Sequence, residues 1–584
     1  MIFRQLLTEI VSDAFESCGY SREFGGVTVS SRPDLCQFQC NGSMSAAKVY
    51  KKAPVQIALE VVEKLSADDR FSAVSAVPPG FINLDISGGL VSDKINAMLE
   101  DSRMLLPVFD KKTIVVDYGG PNLAKPLHVG HLRPAIIGET LCRIARFMGH
   151  EVIGDIHLGD WGLQMGLVIS EIRLRTPGLC YFDPEYSGSY PDSSPVTVDE
   201  LNEIYPTASK RSKTDKEFAT AAAAATVELQ NGRRGYLALW KSIRDISVAD
   251  MKKTYDILDV HFDKWLGESD ADPYIPRVIK MLTDSGALYE SGGAMVVDVA
   301  TEEDREPVPP IIIVKSNGGD IYGTTDLGAL LQRKTDWNPD EVWYVTDNRQ
   351  ALHFKQVFRC AEIAGFLGDT KCFHFSNGTM NGRDGKPYKT RDGGVMRLSD
   401  FIESVTGSSY EKTSQSSVEM DEEKKRTTAR QTGIAAIKIG DMLNHRSKDY
   451  IFDIDRFLAS DGKTGPYLQY ASVRINSVLD KAFTQGAKAS AVLPAESQTE
   501  SELMLSLLSV SDSLLRAYNE KAPNIICEAL FDIAGLFSRF YSENRIISCP
   551  DETRKGSWLS LLTLTGRMFG TLLELLGIAV PDRM

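Results

Sequence analysis

The chain has no long apolar run. Its uncharged hydrophobic stretches fall well below the roughly 20 residues a helix needs to span a bilayer. Its opening, Met1-Ile-Phe-Arg-Gln-Leu-Leu-Thr-Glu, places charges where a signal peptide carries an apolar segment. No membrane partner is expected. C-x-x-C pairs are also missing. The nine cysteines are scattered along the chain, and an odd, scattered set argues for a reducing, cytoplasmic setting rather than a disulfide framework. Cys36 and Cys40 lie in an alternating stretch and read as half-buried strand residues, not metal ligands. There is no excess of positive charge: the net charge is −14, a mild argument against a nucleic-acid partner, because phosphate neutralisation requires cations. A basic strip can still lie on an acidic body, and Arg383 to Arg391 and Lys424 to Arg430 are two such runs. Internal repeats are absent.

With 584 residues, 43% of them hydrophobic and 25% charged, the chain has the ordinary composition of a soluble protein of three or four domains. Residues 1–105 mix helical segments with alternating strands such as Gly26-Val-Thr-Val29 and Phe81-Ile-Asn-Leu-Asp-Ile86, a small α/β domain. From 106 to 440, apolar strands at Ile114–Asp117, Glu151–Ile156, Pro310–Val314, Glu341–Val345 and Cys372–Phe375 alternate with helical patterns, as a Rossmann-type doubly wound parallel sheet requires. Residues 181–200 read as a surface insertion and the Ser-rich stretch Gly407 to Glu423 as a flexible excursion. In 441–584 the spacing of Leu503, Leu507, Val510, Leu514 and Ala517 predicts one apolar helix face, and 523–542 and 556–577 repeat it, so this domain is expected to be all-α.

The most informative segment is Asn122-Leu-Ala-Lys-Pro-Leu-His-Val-Gly-His131. It follows the strand Thr113–Asp117 and opens a helix running to about Met148. Unpaired amides and a positive dipole at a helix start attract phosphate. Gly130 lets a flat base approach the backbone, and His128 and His131, three apart, can reach the same phosphate oxygens. Two alternatives stand for His-x-x-His: half of a zinc site, although no Cys or acidic ligand with metal spacing lies nearby, and an ordinary loop with helix-capping histidines.

This segment resembles the H-I-G-H signature of class I aminoacyl-tRNA synthetases, and later segments resemble the arginyl-tRNA synthetase family in particular. They are Gly159-Asp-Trp-Gly-Leu-Gln164, Ile321-Tyr-Gly-Thr-Thr-Asp326, Tyr344-Val-Thr-Asp-Asn-Arg-Gln350 with His353, and Asp384-Gly-Lys-Pro-Tyr-Lys-Thr-Arg-Asp-Gly393. The last is similar to a divergent K-M-S-K-S loop. Lys448–Asp453, Gly465–Ala471 and the ending Val580-Pro-Asp-Arg-Met584 resemble the family's anticodon-binding domain, and residues 1–105 its additional N-terminal domain.

The resemblance implies an ATP-dependent arginine–tRNA ligase, with L-arginine, ATP and tRNA(Arg) as partners, and Mg2+ bound through the ATP phosphates rather than a protein cage. It places His128, Gly130, His131, Lys386 and Lys389 at ATP, and Lys125, His128, His131, Lys389 and Arg391 in catalysis. Which cation of the 386–391 loop replaces the second signature lysine stays open. For arginine, a planar guanidinium calls for paired carboxylates and a flat packing surface. Asp117 and Asp326 are the candidate carboxylates, with Tyr322 four residues before Asp326, and Asn122 and Gln350 complete the set. Tyr467 and Tyr470 are open between tRNA contact and helical core. A monomer is expected. The competing readings are another class I synthetase or a small adenylyltransferase, and a non-catalytic tRNA-binding or regulatory relative.

Overall fold

The computed structural model describes residues 1–315, 322–386, 388, 396–416 and 419–584, with Tyr322 described by its backbone. The chain forms two compact units. One comprises Asp110–Leu458 and Leu576–Ile578; the other comprises Met1–Phe109, Ala459–Leu575 and Ala579–Met584.

The first unit is built on five parallel strands: β1 (Thr113–Tyr118), β2 (Glu151–Leu158), β3 (Lys264–Gly267), β4 (Glu341–Val345) and β5 (Lys371–His374), in the order β5-β4-β1-β2-β3. β1 reads Thr-Ile-Val-Val-Asp-Tyr and is buried from Ile114 onward, because helices cover both faces of such a sheet. Helix α1 (Leu132–Phe147) returns the chain from β1 to β2. The strand order reverses at β1, which has the earlier β2 on one side and the later β4 on the other. Ligands of open α/β sheets bind at the carboxyl end of such a reversal.

Further helices of this unit are α2 (Leu163–Arg175), α3 (Val198–Thr214), α4 (Lys216–Gln230), α5 (Tyr322–Trp337), α6 (Leu398–Ser416) and α7 (Glu422–Met442). Helix α5 buries Leu327, Leu330 and Leu331 against Val115, Val342, Phe354 and Val357, which fixes it over one face of the sheet.

Four expectations change. The segment at 310–314 is a strand, but Ile311–Val314 joins an antiparallel three-stranded sheet with Leu288–Ser291 and Ala294–Val297. The fifth parallel strand is β3, whose Lys-Trp-Leu-Gly is too short and mixed to show a period. The Ser-rich stretch from Gly407 is helical up to Ser416, because Phe401, Ile402, Val405 and Ser409 supply a buried face that outweighs the weak propensity of its serines. Lys448–Asp453 lies in this first unit rather than with the C-terminal helices, with Tyr450–Ile451 paired to Met380–Asn381.

The second unit joins a four-stranded antiparallel sheet (Val27–Val29, Phe38–Cys40, Phe81–Ile86 and Phe71–Val77, in that order) to a helix bundle of Gly465–Thr484, Gln498–Glu520, Asn524–Glu543 and Glu552–Leu575. Leu503, Leu507, Val510, Leu514 and Ala517 are all at most 1% exposed, which is the predicted face. Arg4 pairs with Asp512 at 2.8 Å, and Arg567 donates to the carbonyls of Met98 and Leu99, so the N-terminal sheet domain and the bundle share one body.

Candidate active site

Beyond β1 the chain turns at Gly119, with φ of +71°, and passes through Asn122-Leu-Ala-Lys-Pro before reaching His128. Asn122 bridges to Gly159, and a Cβ on Gly159 would stand 2.0 Å from the Asn122 side-chain oxygen, so any larger residue there would push the Asn122 amide aside. Val129–His131 form a single 3-10 turn ahead of α1. The Nδ1 of His128 accepts the Gly130 amide at 3.0 Å, and the Nδ1 of His131 accepts the His128 amide at 3.0 Å. Each neutral ring therefore carries its proton on Nε2, as a donor. The rings lie 3.9 Å apart, centroid to centroid. Burial, and after it the His128 ring, pushes His131 down to about 3. Burial, then Lys125 and Arg349, lower His128. Both are neutral donors at pH 7. A Cβ on Gly130 would stand 2.8 Å from the His128 ring, so that glycine also makes room for the imidazole.

The chain after the basic loop runs beside this turn: the Val129 amide donates to the Met396 carbonyl at 3.1 Å, and the Leu398 amide to the Leu127 carbonyl at 2.8 Å. Lys386 is exposed. Lys389 and Arg391 lie outside the described residues. Lys125 stands over the Tyr205 ring of α3, its Nζ 4.4 Å from the centroid. Behind the turn, Arg133 of α1 is buried and pairs with Asp441 of α7 at 2.9 Å, anchoring the helix start.

The carboxylate side differs from expectation. In register, Asp117 of β1 lies beside Asp155 of β2 and Tyr344 of β4. Arg333 of α5, 1% exposed, places Nη2 at 2.6 Å from Asp117 and 2.7 Å from Asp155, and its guanidinium lies 5.2 Å from the centre of the Tyr344 ring. Burial opposes its charge, but Asp117, Tyr344 and Asp155 outweigh burial and raise its pKa. The fork of carboxylates on a flat ring, expected at Asp117 for an arginine ligand, is filled by the chain's own arginine. Asp326 is half-buried, and one of its oxygens meets His353 Nε2 at 2.5 Å. Tyr322 begins α5, one helical turn before Asp326. Gln350 is exposed at the end of the 3-10 turn Asn348–Gln350 that follows β4.

One residue went unnoticed in the sequence. Glu268 follows β3 at the same edge of the sheet, is 9% exposed, accepts the Trp161 amide at 3.3 Å, and has its pKa raised by burial above all, with Asp326 among the charges acting on it. The signal was there in Trp265-Leu-Gly-Glu268, a strand ending on a glycine and an acid, but the strand itself was missed. In the second unit Tyr467 stacks with Phe531 at 6.3 Å and 13°, whereas Tyr470 is 47% exposed.

Comparisons with known proteins give the family. Residues 94–454 match the catalytic domain of class I (R) tRNA synthetases, 468–584 the DALR anticodon binding domain, and 3–86 the arginyl tRNA synthetase N terminal domain. The chain is 49% identical to the arginine–tRNA ligase of Agathobacter rectalis, covering 99% of each. It is 47% identical to that of Alkaliphilus oremlandii, again over 99% of each, and 43% identical to that of Francisella tularensis subsp. novicida over 100% of each. In fold it is similar to the arginyl-tRNA synthetase of Plasmodium falciparum (TM-score 0.81, 24% identity, 100% of this chain and 99% of that one). It is also similar to that of Thermus thermophilus (TM-score 0.79, 21% identity, 100% of both). With a nucleotide-type sheet, a histidine turn at its reversal point, a helical anticodon-binding region and relatives matched over their full length, the chain belongs to the arginyl-tRNA synthetase family.

Proposed function

We propose that the chain joins L-arginine to the 3′-terminal ribose of tRNA(Arg) by way of arginyl-adenylate, with release of pyrophosphate from ATP. The observation that carries the reading is the histidine turn: two Nε2–H donors oriented by backbone amides, with Lys125 close enough to lower both histidine pKa values. The arginine carboxylate attacks the α-phosphate, so negative charge builds on the departing pyrophosphate. His128 and His131 donate to phosphate oxygens as neutral groups, Gly130 lies against adenine, and Lys125 supplies positive charge with Lys386, Lys389 and Arg391. Such fixed donors and charges act where transition-state charge develops.

For the substrate guanidinium, the reading assigns Asp326 and Glu268 with Tyr322, and gives Asp117 the part of holding Arg333 at the pocket floor. Glu268 enters because it is buried, within electrostatic reach of Asp326 and free of any cationic partner at ion-pair distance among the described residues. Asn122 and Gln350 take the amino-acid head group and side chain. The cationic and neutral surroundings of the turn (Lys125, Arg349, His131) suit triphosphate oxygens rather than a bare cation, so Mg2+ would arrive on ATP. Tyr470, with its exposed ring, is assigned to base stacking. Among the described residues no helix is long and apolar enough to cross a membrane, and we place the enzyme in the cytoplasm as a monomer.

ATP–pyrophosphate exchange with each of the twenty amino acids, with and without tRNA(Arg), tests the reading. Exchange specific to arginine, near background without tRNA and sharply raised by it, is expected. Exchange with another amino acid would overturn the arginine specificity, and robust exchange in tRNA-free enzyme would overturn the coupling of activation to tRNA.

A further inference from the structure

Among the described residues, Lys125 is a cation without a carboxylate. No acid lies at ion-pair distance from it among the described residues, and its close partner is the face of Tyr205 at 4.4 Å. Tyr205 comes from α3, within the 198–230 helical pair that the sequence reading left without a role. Its place is set from behind: it packs on Leu167 of α2, Ala208 of α3 and Phe218 and Ala222 of α4. Arg211 of α3 reaches the buried Glu171 of α2 at 3.1 Å, which ties the insertion to the helix after β2. Pro206 follows Tyr205 inside α3. A proline there removes a helical hydrogen bond, and such breaches of local rules cluster at functional positions.

We infer that Tyr205 is a positioning residue for Lys125, its ring holding the ammonium beside the histidine turn while leaving the charge uncancelled. This rests on the assignment of Lys125 to phosphate. A carboxylate partner would compete with phosphate and would have to be displaced on ATP binding. An aromatic face attracts the cation through its quadrupole, more weakly than an acid, and fixes its direction. The lysine is thus presented with its full charge and little freedom.

Exchange kinetics at saturating tRNA, with ATP and arginine varied separately, test this. Tyr205→Leu keeps bulk and loses the π face, and we expect kcat/KM for ATP to fall about three- to tenfold with the KM for arginine unchanged. Tyr205→Phe keeps the face and should restore kcat/KM to within about twofold of the unaltered enzyme. In a Lys125→Ala background, Tyr205→Leu should cost nothing further. Loss of equal size in both backgrounds, with or without a lowered melting temperature, means that the ring only supports the fold and overturns the proposal. So does a Tyr205→Leu enzyme indistinguishable from the starting one while Lys125→Ala is severely impaired. If Lys125→Ala is itself without effect, the phosphate assignment fails and this inference falls with it.

Discussion

The histidine turn and the carboxylate floor stand at the same edge of one sheet and are held in opposite ways. In the turn, the ring nitrogens of His128 and His131 are satisfied by amides two and three residues away. At the floor, Asp117 and Asp155 meet Arg333, 216 and 178 residues along the chain, inside the protein. A device built from its own backbone can lose a side chain and leave the fold standing. A buried ion cluster cannot, because removing one partner strands the others away from water.

Four measurements break or sharpen that contrast. The largest effect on stability should come from Arg333→Met, which leaves two buried carboxylates side by side in register. A loss of about 3–5 kcal/mol is expected in urea unfolding, and a loss below about 1 kcal/mol would mean the cluster is dispensable. Next, Asp326→Asn should raise the KM for arginine by an amount worth about 2–5 kcal/mol, with the KM for ATP nearly unchanged. If arginine KM does not move, Asp326 serves only His353. His131→Ala should slow exchange by about 2–4 kcal/mol in barrier while the urea midpoint scarcely shifts. A rate within about threefold of the starting enzyme would remove the turn from the chemistry.

The smallest effect is a pH slope. Burial pushes His131 down to about 3 and His374 down to about 4, whereas an unfolded histidine titrates near 6.5. Their contribution to stability is therefore complete above about pH 6.5 and is lost as pH falls toward those depressed values. Each group adds a slope of at most about 1.4 kcal/mol per pH unit. Between pH 6.5 and 5, His374→Gln should flatten the stability curve; an unchanged slope would mean that His374 takes up its proton in the folded state.

The contrast also explains what could be read beforehand. Asn122 to His131 was legible because its parts are adjacent: strand, turn, two imidazoles and a helix start lie within 36 residues, Thr113 to Met148. The buried face at Leu503, Leu507, Val510, Leu514 and Ala517 was legible for the same reason, a helix repeating over neighbouring residues. β3 was not, since a four-residue strand carries no period. Nor was the partner of Asp117. An arginine on a helix two hundred residues away shows nothing in its local sequence of where it points.

The amino-acid order by itself determined the parallel strands on either side of the histidine turn, the helical bundle at the end, and the turn itself, because each is set by residue periods and by hydrogen bonds a few positions long. Tertiary structure decided which charges remain for a ligand. Folding brought Arg333 to Asp117 and Asp155, Glu268 within electrostatic reach of Asp326, and Tyr205 to Lys125. Charges pair by distance in space, and only the packed sheet and its helices set those distances.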